Sequence, residues 1–449
     1  MTLTLDAIRP CFEGAIPSAI ATCDPDGTPN VSYLSQVEYV DAGHVALSFQ
    51  FFNTTRRNIL ANPQATVLVS HPVTGANFRL TVDYLRTETD GPLFERMKAK
   101  LAGVASHEGM AGIFRLRGSD VYQVREIEAI PGQYLAEPPP RRNLLAATRA
   151  CSGRLSACTD LATLLDETLA GLEAHLGIHH AMLLMHDAAG RRLYTVATRG
   201  YERSGVGSEI ALGDGVIGVA AAEFTPIRIG FMTPEYAYGR AVRESTQASG
   251  LAGMLETEIP FPGLAEPHSQ LAVPILAIGR LIGVLYVESS EDLHFGYDDE
   301  DALVAVAGQL GMAISLMQSA HEPADETVDG LAPAVGKSGP AVVVRHFVEN
   351  DSVFLGDEYL IKGVAGAIFW RLVSEFVERQ RTEFTNRELR LDPRLRLPDI
   401  VDNLEARLIL LERRLNEHKA CVRLAKTGRG RFRLVVKRPL TLVDVPRSA

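Results

Sequence analysis

The sequence predicts a multidomain protein in which an all-β barrel precedes an α+β module and then a helical domain closed by a β-ribbon. Three observations carry this. The chain has 449 residues, too many for one hydrophobic core. Two stretches break its pattern: the triple proline of AEPPPRRN at 136–143, and the Pro-, Gly- and acid-rich segment 319–341. Apolar periodicity also changes across these breaks, from strand-like, to mixed, to mostly helical. The domains read as 1–135, 143–317 and 342–440, with 319–341 as a flexible linker.

Composition bounds the protein class. Hydrophobic residues make up 46% and charged residues 22%, so each part can bury a core of its own. The five cysteines (11, 23, 151, 158, 421) are odd in number and scattered, which argues against a disulfide framework. The chain begins without a charged n-region and apolar stretch. Its longest apolar run, LAVPILAIGRLIGVLYV, is broken by Arg280 and two glycines and reads as two strands and a turn. The expectation is a cytoplasmic protein with no membrane partner. The net charge of −10 is uneven, because residues 341–449 hold 21 Lys and Arg against 15 Asp and Glu. That asymmetry prompts the search for an anionic partner of the basic end.

In the first domain, PSAIATCDPDGTPNVSYLSQVEYV is two β runs joined at Asp24-Pro25-Asp26-Gly27, where Gly supplies a positive φ. HVALSFQFF is a third strand. TTRRNILANP is a helix of about two turns, capped by Thr54 or Thr55 and stopped by Pro63. QATVLVSH, NFRLTVDYLRTE and a strand pair within IFRLRGSDVYQVREIEAI complete the β set around the helix GPLFERMKAKLAGVAS. Many short strands and few helices give a barrel.

In the middle domain, Leu161, Leu164, Leu165, Thr168, Leu169, Leu172 and Leu176 fall on one helical face. The strands AMLLMHD and LYTVATRG follow, then an irregular Gly-rich stretch at 205–260. The strand pair LAVPIL and RLIGVLYVES comes next, and then a helix over about 298–317. The last domain starts with the hairpin SVFLGDEYL. Helices at 363–380, 385–390 and 398–417 follow, and the ribbon VRLAKTGRGRFRLVV closes it.

The clearest chemical signal is Thr54-Thr55-Arg56-Arg57, at the mouth of a short helix straight after a buried strand. A phosphate dianion is held by guanidiniums together with hydroxyls and backbone N–H groups at a helix start. A solvated arginine pair beside an N-cap stays open on spacing alone. The blocks ATCDPDGTPNVSYLSQVEYV, LSFQFFNTTRRNILANPQATVLV and FRLTVDYLRTE resemble the pyridoxamine 5′-phosphate oxidase-like FMN-binding split barrels. Thr55-Arg56-Arg57-Asn58-Ile59-Leu60-Ala61-Asn62-Pro63 stands at the family's helix block.

The resemblance covers about the first 130 residues. It implies that Arg56, Arg57, Thr55 and Thr54 face an FMN phosphate. It places the strand with Asn30 and Ser32, and also Ser48 and Gln50, beside the rest of the flavin, in a homodimer. Haem and deazaflavin are alternatives within the family. Asn30 stands where the vitamin-B6 oxidases carry Arg, and VYQVREIEAIPG has no counterpart of their Arg-x-His substrate motif, so that activity is not expected. No catalytic pair is assigned, and any redox chemistry belongs to the cofactor.

In the middle domain SEIALGDGVIGVAA, LAVPILAIGRLIGVLYVES and FGYDDEDALVAVAGQLGMAI resemble a GAF module, which implies a small-molecule ligand of unread identity. Gly213-Asp214-Gly215-Val216-Ile217-Gly218 lacks a following Lys and reads as a turn before a helix. His175 with His179, and Cys151 with Cys158 two turns apart on one helix, read as packing residues. No metal site is expected. TGRGRFRLVV resembles the wing of response-regulator winged helix-turn-helix domains. That resemblance implies DNA contacts from Lys426, Arg429, Arg431 and Arg433 on the wing, and from Arg407, Arg413 and Arg414 on the recognition helix. Asp399, Asp402 and Glu405 in the early turns oppose it, and a protein-binding winged helix is the alternative.

Together these give a split barrel, a GAF module and a winged helix. The functional expectation is a flavin-binding, ligand- or redox-responsive regulator acting on DNA. The alternative is an FMN-dependent oxidoreductase with GAF as its allosteric domain, and an empty-barrel scaffold is a third reading.

Overall fold

A computed structural model describes residues 3–14, 16–49, 54–107, 116–136, 142–230, 259–319, 339–395, 404–428 and 430–445. In the first region β1 (Ser18–Cys23), β2 (Pro29–Leu34), β3 (Val37–Asp41), β4 (His44–Phe49), β5 (Gln64–Ser70), β6 (Asn77–Glu88) and β7 (Gly118–Ala129) form one antiparallel sheet. Its order is β2-β1-β5-β6-β7-β4-β3. The β1–β2 turn forms as its residues dictate: the Asp24 carboxylate accepts from the Asp26 and Thr28 amides, and Gly27 sits at φ +87°. Alternate residues Val45, Leu47, Val67, Leu80 and Tyr122 fill the core. Helices α1 (Thr54–Ala61) and α2 (Gly91–His107) flank the sheet. Of the strand pair expected within 113–130, β7 is described, and it runs on from Gly118 without a turn. Residues 111–115 lie outside the described residues.

The second region contains α3 (Leu144–Ser156), α4 (Leu161–Leu176), β8 (His180–Asp187), β9 (Arg192–Arg199) and β10 (Glu209–Ala211). It continues through α5 (Gly215–Glu223), β11 (Ile227–Ile229), β12 (Ser269–Ala277), β13 (Arg280–Ser289) and α6 (Tyr297–Ser319). Its six strands are ordered β10-β9-β8-β13-β12-β11. The apolar face of α4 is buried as its periodicity requires; Asp160 caps its start and Gly177, in left-handed conformation, ends it. The stretch 205–260 is less irregular than expected. It holds β10, α5 and β11, whose three-residue strands are too short to show a period, while 231–258 lie outside the described residues. Cys158 falls beyond the end of α3, so the two cysteines do not share a helix.

Among the described residues one helix, over Tyr297–Gln318, is long and apolar enough to cross a membrane by length and composition. Half of it is buried, with Leu303, Val306, Leu310 and Ile314 in the core beneath the sheet.

The third region has β14 (Val342–Phe347), β15 (Ser352–Leu355), β16 (Glu358–Ile361), α7 (Gly363–Arg379), β17 (Glu383–Thr385) and α8 (Asn386–Leu391). Then come α9 (Leu404–Glu417), β18 (Val422–Gly428), β19 (Arg431–Val436) and β20 (Leu440–Val445). Strands β16-β15-β14-β20 form one sheet and β17-β19-β18 another. The parallel β14–β20 pair was not foreseen: it joins residues nearly a hundred positions apart, and β20 lies past the expected domain end at 440. Asp399 and Asp402, most of the linker 319–341, and residues 137–141 of the proline spacer lie outside the described residues.

Candidate functional site

The start of α1 gathers a continuous polar set. The Asn30 amide donates to Thr55 Oγ1 at 2.9 Å and to Thr22 Oγ1 at 3.4 Å. Ser32 Oγ lies 2.8 Å from Thr55 Oγ1, and the Asn58 amide donates to Thr22 Oγ1 at 3.2 Å. The register explains the grouping: Asn30 pairs with Thr22 and Ser32 with Ile20, so both side chains share the face that carries Ile20 into the core. Thr55 and Asn58 are buried against that face from α1. Three of the residues expected at the cofactor, Asn30, Ser32 and Thr55, are therefore brought together.

The two arginines separate. Arg56 turns into the barrel wall, where Nη1 donates to Asp120 Oδ1 at 2.7 Å and Nη2 to Thr87 Oγ1 at 2.9 Å. Thr87 also donates to Asp120, and its guanidinium neighbour lies 4.6 Å from the Phe49 ring centroid. Burial pushes the Asp120 carboxyl up, outweighing the opposing pull of Thr87 and Arg56. Arg57 stays exposed and donates to Thr54 Oγ1 at 3.1 Å.

Ser48 is elsewhere. It neighbours the core-facing Leu47 and so lies on the opposite face of β4, where its buried hydroxyl and that of its cross-strand partner Ser119 have no hydrogen-bond partner among the described residues. Gln50 lies outside the described residues. Sequence reasoning missed Thr22, Asn58, Thr87 and Asp120. Asn58 stood inside the quoted helix block, whereas Asp120 is a lone acid that only the β4–β7 and β6–β7 registers bring to Arg56.

The donor set suits a phosphate monoester: the hydroxyls of Thr54, Thr55 and Ser32, the Asn30 amide and the exposed Arg57 stand at the first turn of an eight-residue helix. Arg56 adds a cation whose charge is already countered by Asp120.

A second polar centre, unforeseen, joins the first two regions. Arg228 of β11 is wholly buried. Its Nε donates to Glu300 at 2.8 Å, Nη1 pairs with Glu13, and its guanidinium lies 4.3 Å from the Tyr297 ring centroid. Lys100 of α2 donates to Glu38 at 2.8 Å and to the Tyr297 hydroxyl at 3.3 Å. Burial pulls the Lys100 ammonium down. Burial also pushes Glu300 up, but Arg228 and Lys100 outweigh it and hold that carboxyl below its ordinary range.

The basic residues of the third region are mostly engaged. Arg407 pairs with Asp187, and Arg413 donates to Asp166 and to the Val196 carbonyl. Arg414 donates to the Leu360 carbonyl and pairs with Glu417. On the ribbon, Arg433 pairs with Glu383, Arg431 is half-buried, and Lys426 is exposed with Asp160 4.0 Å away. Arg429 lies outside the described residues.

No curated protein matches the chain. Among solved structures, the GAF domain of an Acinetobacter phosphoenolpyruvate-protein phosphotransferase is 18% identical over 40% of this chain and 96% of its own, with a TM-score of 0.31. An FMN-binding protein from Syntrophomonas wolfei is 14% identical over 30% of this chain and 88% of its own, with a TM-score of 0.24. Free methionine-R-sulfoxide reductase from Neisseria meningitidis is 19% identical over 39% and 91%, with a TM-score of 0.31. Residues 4–125 match the family model described as pyridoxamine 5′-phosphate oxidase, and residues 160–314 match the GAF domain model. The chain therefore joins a split barrel of the pyridoxamine 5′-phosphate oxidase type to a GAF domain.

Proposed function

We propose that this protein is a flavin-binding, ligand-responsive sensor, with FMN held through its phosphate at the start of α1 and a C-terminal winged helix acting on DNA. The observation that carries the flavin reading is the Thr55 hydroxyl, bonded at once to Asn30 and Ser32, beside Arg57, within the stretch that matches the oxidase family. Thr54, Thr55, Ser32 and Asn30 would orient the phosphate oxygens, and Arg57 would neutralise them. Arg56, fixed by Asp120 and Thr87, would shape the wall behind them. When bound, the flavin supplies the redox chemistry.

The GAF domain would take a small molecule. The Arg228–Glu13–Glu300 and Lys100–Glu38 cluster supports coupling of the two sensors, because a buried ionic network tolerates few arrangements. The exposed Val31 and Tyr33 on edge strand β2 support a homodimer through the barrel. For the third region, helices α7 to α9 followed by the β18–β19 ribbon support a winged helix, and the surplus of basic residues supports duplex DNA as its partner.

The absorption spectrum of purified full-length protein tests the flavin reading. A flavin band lost in Thr55→Ala/Arg57→Ala supports it. A colourless wild-type protein that takes up no added FMN refutes it.

A further inference from the structure

Four cations of the third region meet four carboxylates of the GAF domain. Arg407 Nη2 lies 3.3 Å from Asp187 Oδ2, and both side chains are only 5% exposed. Its guanidinium also lies 4.1 Å from the Tyr194 ring centroid on β9. Arg413 Nη2 donates to Asp166 of α4 at 2.7 Å and Nη1 to the Val196 carbonyl at 2.9 Å. Lys362, just before α7, stands 3.2 Å from Glu209, and Lys426 of the ribbon 4.0 Å from Asp160. Ser204 and Glu417 add a polar contact.

In these four pairs the basic partner comes from the effector side and the acidic partner from the sensor, where Arg192 of β9 also pairs with Asp187 and Glu209. An interface evolved only to bury apolar surface has no need of that arrangement, whereas a row of carboxylates presents to arginine and lysine the oxygen anions that a DNA backbone presents. Three of the four cations, Arg407, Arg413 and Lys426, are ones the winged-helix reading assigns to DNA.

We infer that the GAF domain holds the C-terminal domain in an autoinhibited state, with Asp187, Asp166 and Asp160 standing in for DNA phosphates against the basic face of α9 and the ribbon, and Glu209 holding Lys362 beside them. This rests on the DNA reading above. A duplex and the GAF domain compete for the same side chains, so α9 binds DNA after it leaves β9 and α4. A signal at the GAF domain acts by weakening these pairs, and by linkage DNA loosens the GAF contact in return.

The test uses full-length protein and a fluorescent random-sequence duplex of about 30 base pairs at low salt, where phosphate contacts dominate. The variant Asp166→Asn/Asp187→Asn is expected to bind about tenfold tighter than wild type, with faster amide exchange over 404–417 and 192–199. The charge-matched Asp90→Asn/Glu126→Gln, on the barrel, is expected to bind as wild type does; tightening equal to that of the first variant would overturn the proposal in favour of net charge. Unchanged exchange in the first variant overturns the clamp. Faster exchange with equal affinity overturns autoinhibition and leaves DNA binding standing. Faster exchange with no duplex binding by any form removes the DNA reading itself. Asp166→Asn alone, at an exposed position, is expected to raise affinity severalfold and covers the case in which the Asp187 change prevents folding.

Discussion

Arg56 and Asp120 form a buried ion pair at 2.7 Å that ties the first turn of α1 to the middle of the barrel sheet, while Arg57, one residue on, lies exposed. Adjacent guanidiniums thus do different work. Arg56→Ala leaves the Asp120 carboxylate buried without its cation, and about 3–5 kcal/mol of stability should be lost. Arg57→Ala should change stability by less than about 0.5 kcal/mol and weaken FMN retention instead. Urea unfolding read beside flavin absorbance separates the two.

Thr55 is buried against the barrel and, in the proposed function, would also bind the flavin phosphate. Removing its hydroxyl deprives the Asn30 amide and Ser32 of a partner, so Thr55→Ala should cost about 1–3 kcal/mol and lower flavin content. Thr55→Ser keeps the oxygen and should restore both. If Thr55→Ser behaves like Thr55→Ala, the methyl group rather than the hydrogen bonds matters.

His346 lies between Asp351 and Asp444, at 3.0 and 2.8 Å, with its ring stacked on Trp370. Burial lowers its affinity for a proton, but the two carboxylates outweigh that and raise it above the ordinary value of 6.5. The folded state then binds the proton more tightly than the unfolded chain. The stabilisation is complete below the unfolded value, near 6.5, and is lost as pH rises through the higher folded value. Urea titrations from acid to alkaline pH, followed through Trp370, the single tryptophan, should show this loss, and His346→Gln should flatten it.

At the junction of barrel and GAF domain, Glu300 has the opposite sign. Its carboxyl sits below the ordinary value of 4.5, so its contribution is present above that pH and lost as pH falls through the lower folded value. Arg228→Ala leaves Glu13 and Glu300 buried without their cation and should cost about 3–5 kcal/mol. It should also flatten the loss of stability as pH falls below about 4.5, measured by urea unfolding followed by circular dichroism at a series of acid pH values. An unchanged pH dependence would show that Arg228 does not hold the carboxylate ionised.

Much of the local structure is legible in the residues themselves. The leucines of α4, the Asp24–Gly27 turn, the short helix from Thr54 and the closing ribbon all depend on near neighbours, where spacing and turn chemistry act directly. That Asn30, Ser32 and Thr55 come together was expected from two separate blocks of the family resemblance, one on β2 and one at the start of α1. What the tertiary structure alone decided was which charges meet. Asp120 against Arg56, Glu13 against Arg228, Asp187 against Arg407 and β20 beside β14 are pairings between residues far apart in the chain. Local spacing does not encode them, because a charged side chain looks the same in sequence whether it faces water or a buried partner. That is why Arg407 and Arg413 read as residues open to DNA, when the fold closes both onto the GAF domain.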